Sequence, residues 1–219
     1  MAPVLERVTE SSADDLLQFL LTHDSVQPMA DREALSRRLR NNGRGYVLMD
    51  RDRSSEPLSF IWAALTEVYP TSIGSLLHAA SEADSDDPTR LAIFYSVHNV
   101  RPDLTSPEGR SWAKHVLIGA AAELRADRPS LRTVATLSPI PGYRRWESGE
   151  PTPANVLRYL RTPGADGRPM DPVARFHLGN GARIERLLPH ADRSPLGLDR
   201  SFGWMVSYRY PDPEPDPTG

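Results

Sequence analysis

Ser138 and His177 are of types that can do chemistry, although neither setting by itself marks its residue as functional. Ser138 closes a predicted strand, LRTVATLS at 131–138, and stands directly before the turn Pro139-Ile140-Pro141-Gly142. His177 lies near the end of a predicted helix, DPVARFHL at 171–178, which Asp171 opens as N-cap with Pro172 at the first helical position. A positioned hydroxyl can donate a hydrogen bond to an oxygen on which negative charge develops. An imidazole, with its ordinary pKa close to working pH, suits proton delivery. Taken alone, Ser138 reads as a strand-end turn residue and His177 as a structural histidine. His23, His78, His98, His115 and His190 have less support, although His115 and Lys114 stand where a phosphate could be met. No H-E-x-x-H or similar spacing suggests a metal site. The absence of cysteine removes thiolate nucleophiles, disulfides and cysteine-bound zinc or iron–sulfur clusters.

These residues need elements to hold them. Segment 12–22 reads as a short helix, and DREALSRRLR at 31–40 as a better one, stopped by NNGRG. YVLMD at 46–50 and the long apolar run LSFIWAALTEV at 58–68 read as strands, the latter central. A weak helix at 72–81 is followed by a solvated acidic loop, EADSDDP. RLAIFYSVHNV at 90–100 is the clearest strand, and the loop RPDLTSPEGRSW leads from it into a helix at 113–126. NVLRYLRT at 155–162 reads as helix, with RIERLLP and FGWMVSYRY as closing strands. The tail PDPEPDPTG at 211–219 is expected to be disordered.

The strand–loop–helix–strand unit at 90–138 places a loop and a helix N-terminus at the carboxyl end of a sheet. Free backbone N–H groups there suit a phosphate. The loop around Gly109 is therefore a candidate cradle, on a weak signal.

Bulk properties narrow the classes. At 219 residues one large domain is the default. A formal net charge of −3 gives no argument for a nucleic-acid partner. The opening MAPVLERVTE lacks a cationic segment followed by an apolar stretch, and FIWAAL at 60–65 is too short to span a bilayer. A cytoplasmic protein without a membrane partner is the expectation.

Three stretches carry more information: AIFYSVHNV at 92–100, TLSPIPGYRRW at 136–146 and DPVARFHLGNGARIERL at 171–187. With PLSFIWAALTEVYPTSIGSLL at 57–77 and GWMVSYRY at 203–210, they resemble, in the same order, the segments of malonyl-CoA decarboxylases over roughly residues 30–210. The resemblance implies an α+β, GNAT-like fold: a mixed, splayed β-sheet flanked by helices in a single domain, with the pantetheine of CoA between two central strands. It places the grip on the CoA phosphates at Glu108, Gly109, Arg110, Ser111, Trp112, Ala113 and Lys114, where Ala113 replaces the usual second glycine. It carries over Ser138 and His177 as catalytic, with Tyr208 and Tyr210 either lining the acyl pocket or packing on the core.

The implied activity is decarboxylation of malonyl-CoA, or a methylmalonyl-type analogue, to acetyl-CoA or its homologue and CO2, within fatty acid or polyketide metabolism. No cofactor is called for, because the thioester is its own electron sink and CoA enters as part of the substrate. His177 would deliver a proton or, as an imidazolium, stabilise the enolate. The fold leaves two rivals: an acyltransferase moving the acyl group to an amine or carrier-protein thiol, and a non-catalytic acyl-CoA-binding protein.

Two departures bear on assembly and specificity. Typical members carry an N-terminal helical domain that takes part in subunit assembly. Residues 1–30 read here as only a short helical segment ahead of a catalytic domain at 31–210, which leaves a homo-oligomer open. The stretch between SPIPG and FHLGNG, residues 143–175, is also much shorter than usual, which leaves the acyl group open.

Overall fold

The computed structural model describes residues 3–40, 42–50, 57–78, 89–104 and 111–211. In chain order the elements are β1 (Val4–Val8), α1 (Asp14–His23), α2 (Arg32–Arg40), β2 (Gly43–Met49), β3 (Pro57–Thr66), α3 (Ile73–His78), β4 (Leu91–Asn99) and α4 (Trp112–Asp127). There follow β5 (Thr133–Thr136), β6 (Ser138–Pro139), α5 (Tyr143–Trp146), α6 (Pro153–Arg161), α7 (Pro172–Gly179), β7 (Arg183–Leu188), α8 (Pro195–Ser201) and β8 (Met205–Arg209). They form two compact units, one of residues up to Val68 with Leu77–Leu131, the other of Tyr69–Leu76 with the residues from Arg132 onward. The acidic loop at 82–88, and the proposed disordered tail beyond Pro211, lie outside the described residues.

In the first unit β1, β2, β3 and β4 pair in that order, all antiparallel. Strand β3 is buried at every position but its last, so its run of apolar residues serves both faces of the sheet. Helix α4 packs on β2, β3 and β4 through Trp112, Ala113, Val116, Leu117, Ala120, Ala121 and Leu124, a helical spacing of small and aliphatic side chains. Gly45 lets β2 pass close to β3: a Cβ there would come within 2.5 Å of the Trp62 ring. Strand β2 therefore runs through the glycines that, in the sequence, read as a helix stop. Strand β1 is an addition. Its five residues, VLERV, pair with β2 from Val4↔Met49 to Val8↔Gly45, so the sheet takes in residues that sequence reading assigned to a helical segment.

The unit also contains a buried ionic cluster. Asp24, just after α1, accepts at Oδ1 from the backbone N–H groups of Val26 (3.2 Å) and Gln27 (3.0 Å) and from the Ser96 hydroxyl (2.9 Å). His98 Nε2 lies 3.1 Å from the same oxygen, and Arg38 donates to Oδ2 at 3.2 Å. The Arg38 guanidinium lies 5.5 Å from the centroids of both Trp62 and Tyr95. Burial acts to raise the Asp24 carboxyl, but the bonds from His98 and Gln27 and the charge of Arg38 prevail and lower it.

In the second unit β8 is central. It pairs antiparallel with β7 on one side, and on the other with β5 (Ala135↔Arg209) and β6 (Ser138↔Val206, Pro139↔Met205). Three helices open the same way, with a side-chain cap followed by proline: Thr152 for α6, Asp171 for α7 and Ser194 for α8. Asp171 accepts from the backbone N–H groups of Val173 (3.0 Å) and Ala174 (2.8 Å), as its position before Pro172 predicts. Helix α7 is followed by Gly181 at φ +86°. Helices α5 and α8, of four and seven residues, are too short to have shown a period in the sequence.

Candidate active site

The sheet of the second unit brings Ser138 and His177 together across 39 residues of chain. Ser138 begins β6, held opposite Val206 of β8, and His177 occupies the last turn of α7. Oγ of Ser138 and Nε2 of His177 are 3.3 Å apart, and the residues are only 5% and 4% exposed. At its other nitrogen, Nδ1, His177 lies 2.8 Å from the hydroxyl of Tyr210. The imidazole stacks on the Tyr208 ring, with centroids 4.7 Å apart and planes 26° from parallel. Tyr208 and Tyr210 are two apart on and just after β8, so both face the histidine. Both aromatics wall the imidazole and are themselves buried.

Thr136 completes the group. The Ser138 hydroxyl donates to Oγ1 of Thr136 at 2.9 Å, and the backbone N–H of Tyr208 donates to the same oxygen at 3.1 Å. Sequence reading did not single out Thr136. The available signal was its place two residues before Ser138, which puts both hydroxyls on one face of an extended segment.

Burial sets the electrostatics. It lowers the pKa of His177 from 6.5 to about 3, so the ring is neutral at neutral pH. The expectation is an imidazole that titrates near working pH, with the imidazolium as an option; burial at this position favours the neutral ring. Burial also raises Tyr208 and Tyr210, so both remain protonated phenols. Asp171 is fully buried, and burial raises its carboxyl against the pull of the Ala174 and Val173 N–H groups and of Tyr159. A neutral imidazole carries one N–H, which can donate a hydrogen bond to a developing oxyanion.

A cavity of about 400 Å³ opens after the SPIPG turn, lined by Pro141, Gly142, Arg145, Trp146, Tyr159, Met170 and Pro172; neither Ser138 nor His177 lines it. Among the described residues, no group of three or more His, Asp or Glu side chains could hold a metal ion. Nor is any helix there long and apolar enough to cross a membrane.

Of the expected CoA-phosphate residues, Glu108, Gly109 and Arg110 lie outside the described residues. Ser111, Trp112, Ala113 and Lys114 belong to the first unit, at the start of α4. Ser111 is the N-cap residue, yet its hydroxyl makes no capping bond, while Trp112 and Ala113 are buried in the first turn.

Comparison with known proteins gives a consistent answer. The mitochondrial malonyl-CoA decarboxylase of Anser anser anser is 27% identical over 263 residues, which cover 94% of this chain and 52% of that protein. The chain spans about half the length of the curated relatives it matches. The crystal structure of malonyl-CoA decarboxylase from Agrobacterium vitis superposes with a TM-score of 0.82 at 29% identity, covering 97% of this chain and 61% of the other. The loading GNATL domain of CurA from Lyngbya majuscula superposes with a TM-score of 0.65 at 17% identity, which bears on fold alone. The GNAT-like α+β class, a mixed sheet flanked by helices, is thus the fold of this protein. The family model described as the malonyl-CoA decarboxylase C-terminal domain matches residues 3–157 and 148–214, nearly the whole chain, and the protein belongs to that family.

Proposed function

We propose that this protein decarboxylates malonyl-CoA, or a methylmalonyl-type analogue, to acetyl-CoA or its homologue and CO2, with residues 31–210 as the catalytic region. The observation that carries the reading is the buried contact between Ser138 and His177 in a chain of this family. As the carbon–carboxylate bond breaks, its electron pair passes into the thioester carbonyl and gives an enolate. Protonation of the enolate carbon, with the proton drawn from solvent once CO2 has left, then yields the shortened thioester. No prosthetic group is required, because the thioester accepts the electrons.

His177 serves this sequence through its N–H as the donor to the oxygen on which charge develops, and Ser138, whose Oγ lies 3.3 Å from Nε2, orders that N–H beside the acyl group. A donor of this kind contributes about 3–4 kcal/mol to the transition state. His177 acts as a neutral imidazole, with Tyr208 and Tyr210 holding its plane. Burial of the Ser138 and His177 side chains strengthens each of these interactions. For the CoA phosphates, the segment Glu108–Lys114 is the proposed grip. It is supported by the N-terminus of α4, where the Ser111 side chain makes no capping bond.

The test is product analysis. The protein is incubated with malonyl-CoA in the absence of any acceptor, and acetyl-CoA and CO2 are measured. Their stoichiometric appearance is expected. No acetyl-CoA without an acceptor, together with acyl transfer to an added amine, would replace this reading with a transferase.

A further inference from the structure

The strands that carry the site are irregular at one point. Tyr210 donates its backbone N–H to the carbonyl of Val134 at 3.0 Å, and Ala135 pairs with Arg209. In an antiparallel ladder the next bonded pair is two residues on, at Thr136 and Tyr208. There, the Tyr208 N–H goes to the side-chain oxygen of Thr136. That hydroxyl also accepts from Ser138, and it is buried. Both lone pairs of Oγ1 are then occupied by incoming donors.

This has a consequence for the histidine. A Ser138 proton committed to Thr136 leaves only lone pairs on Oγ to face Nε2 of His177, 3.3 Å away. A neutral imidazole has one N–H and one bare nitrogen. The bond to Ser138 forms only when Nε2 carries the proton, which leaves Nδ1 to accept from the Tyr210 hydroxyl at 2.8 Å. The series then runs one way, from Tyr210 through His177 and Ser138 to Thr136.

We infer that Thr136 is a positioning residue: by holding the Ser138 proton it fixes His177 in the Nε2–H tautomer. Its catalytic consequence rests on the decarboxylase reading above. With Nε2–H directed to the Ser138 side, the imidazole offers a donor where an enolate oxygen would develop charge. In the other tautomer a lone pair would face that oxygen and repel it.

The test uses the full chain with histidine labelled in both ring nitrogens by ¹⁵N. His177 is assigned by the resonances lost in His177→Asn. In the wild type the proton is expected on Nε2; a proton on Nδ1 overturns the inference without any variant at position 136. Thr136→Val frees Ser138 to donate to Nε2 and is expected to move the proton to Nδ1. Thr136→Ser, which keeps the hydroxyl, retains the wild-type tautomer. In decarboxylation, Thr136→Val is expected to lower kcat about tenfold or more with KM little changed, and Thr136→Ser to restore it. Unaltered kcat and an Nε2–H signal in a folded Thr136→Val protein would overturn the role. A wild type that shows the Nε2–H signal but releases no CO2 would remove the decarboxylase reading and leave the tautomer assignment standing.

Discussion

Nδ1 of His177 and the hydroxyl of Tyr210 stand 2.8 Å apart, joining the last turn of α7 to the end of β8, with both side chains buried. Together with the stacked Tyr208 ring, this contact holds the imidazole in one plane and aims its other nitrogen at Ser138. A histidine held at both nitrogens has lost its freedom before substrate arrives, so no ordering cost falls on the reaction.

Ser138→Ala and His177→Asn are each expected to reduce decarboxylation at least about tenfold, roughly 1.4 kcal/mol of transition-state stabilisation. Tyr210→Phe leaves both reacting-face groups in place and loosens only the support, so a smaller loss in kcat is expected. Steady-state kinetics with malonyl-CoA, on proteins whose circular dichroism matches the wild type, checks the order. Wild-type rates in both Ser138→Ala and His177→Asn would remove the site assignment.

Buried His177 ties stability to pH. Its pKa falls from 6.5 to about 3 on folding, so between these values the unfolded chain binds a proton that the folded chain refuses. The stabilising contribution is complete above about pH 6.5 and is lost progressively as the pH falls towards 3. Urea unfolding at a series of pH values should show this acid slope in the wild type and a shallower one in His177→Asn.

Asp171 separates capping from charge. Its side chain caps α7, while burial raises its carboxyl above the ordinary 3.8. A raised pKa stabilises fully below the unfolded value, and the contribution is lost as pH rises through the folded one. Asp171→Asn keeps a capping oxygen and removes the desolvation cost of an ionisable carboxyl, so stability at pH 7 is expected to be equal or greater. Asp171→Ala loses the cap and should cost about 1 kcal/mol, within the usual range of about 0.5–2. Chemical denaturation of the two variants distinguishes the effects.

In the first unit the Asp24–Arg38 pair differs from the surface pairs. The Asp24 side chain is fully buried and that of Arg38 is 10% exposed, whereas Asp14, paired with Arg32, is 92% exposed. Asp24→Ala would leave the guanidinium buried without its counter-charge and is expected to cost about 3–5 kcal/mol. Asp14→Ala should leave the unfolding midpoint unchanged within error, since exposed pairs contribute little.

Much of the fold was legible because its causes are local. The apolar run of β3, the capped start of α7 at Asp171-Pro172 and the periodic face of α4 each depend on residues a few positions apart. Ser138 and His177 could be named because they stand in unusual segments, SPIPG and PVARFHLGNGA, whose likeness to a known family needs no coordinates. Strand β1 was not legible, since five residues with two charges among them form a strand only against the waiting edge of β2. Thr136 was not legible as a member of the site, because its role arises where β5 and β8 pair across some seventy residues of chain, whereas Tyr210 was named by resemblance but without its contact to His177. Nor could the sequence show that His177 is neutral. A residue's type sets its ordinary pKa, but burial shifts it, and burial belongs to the packed structure.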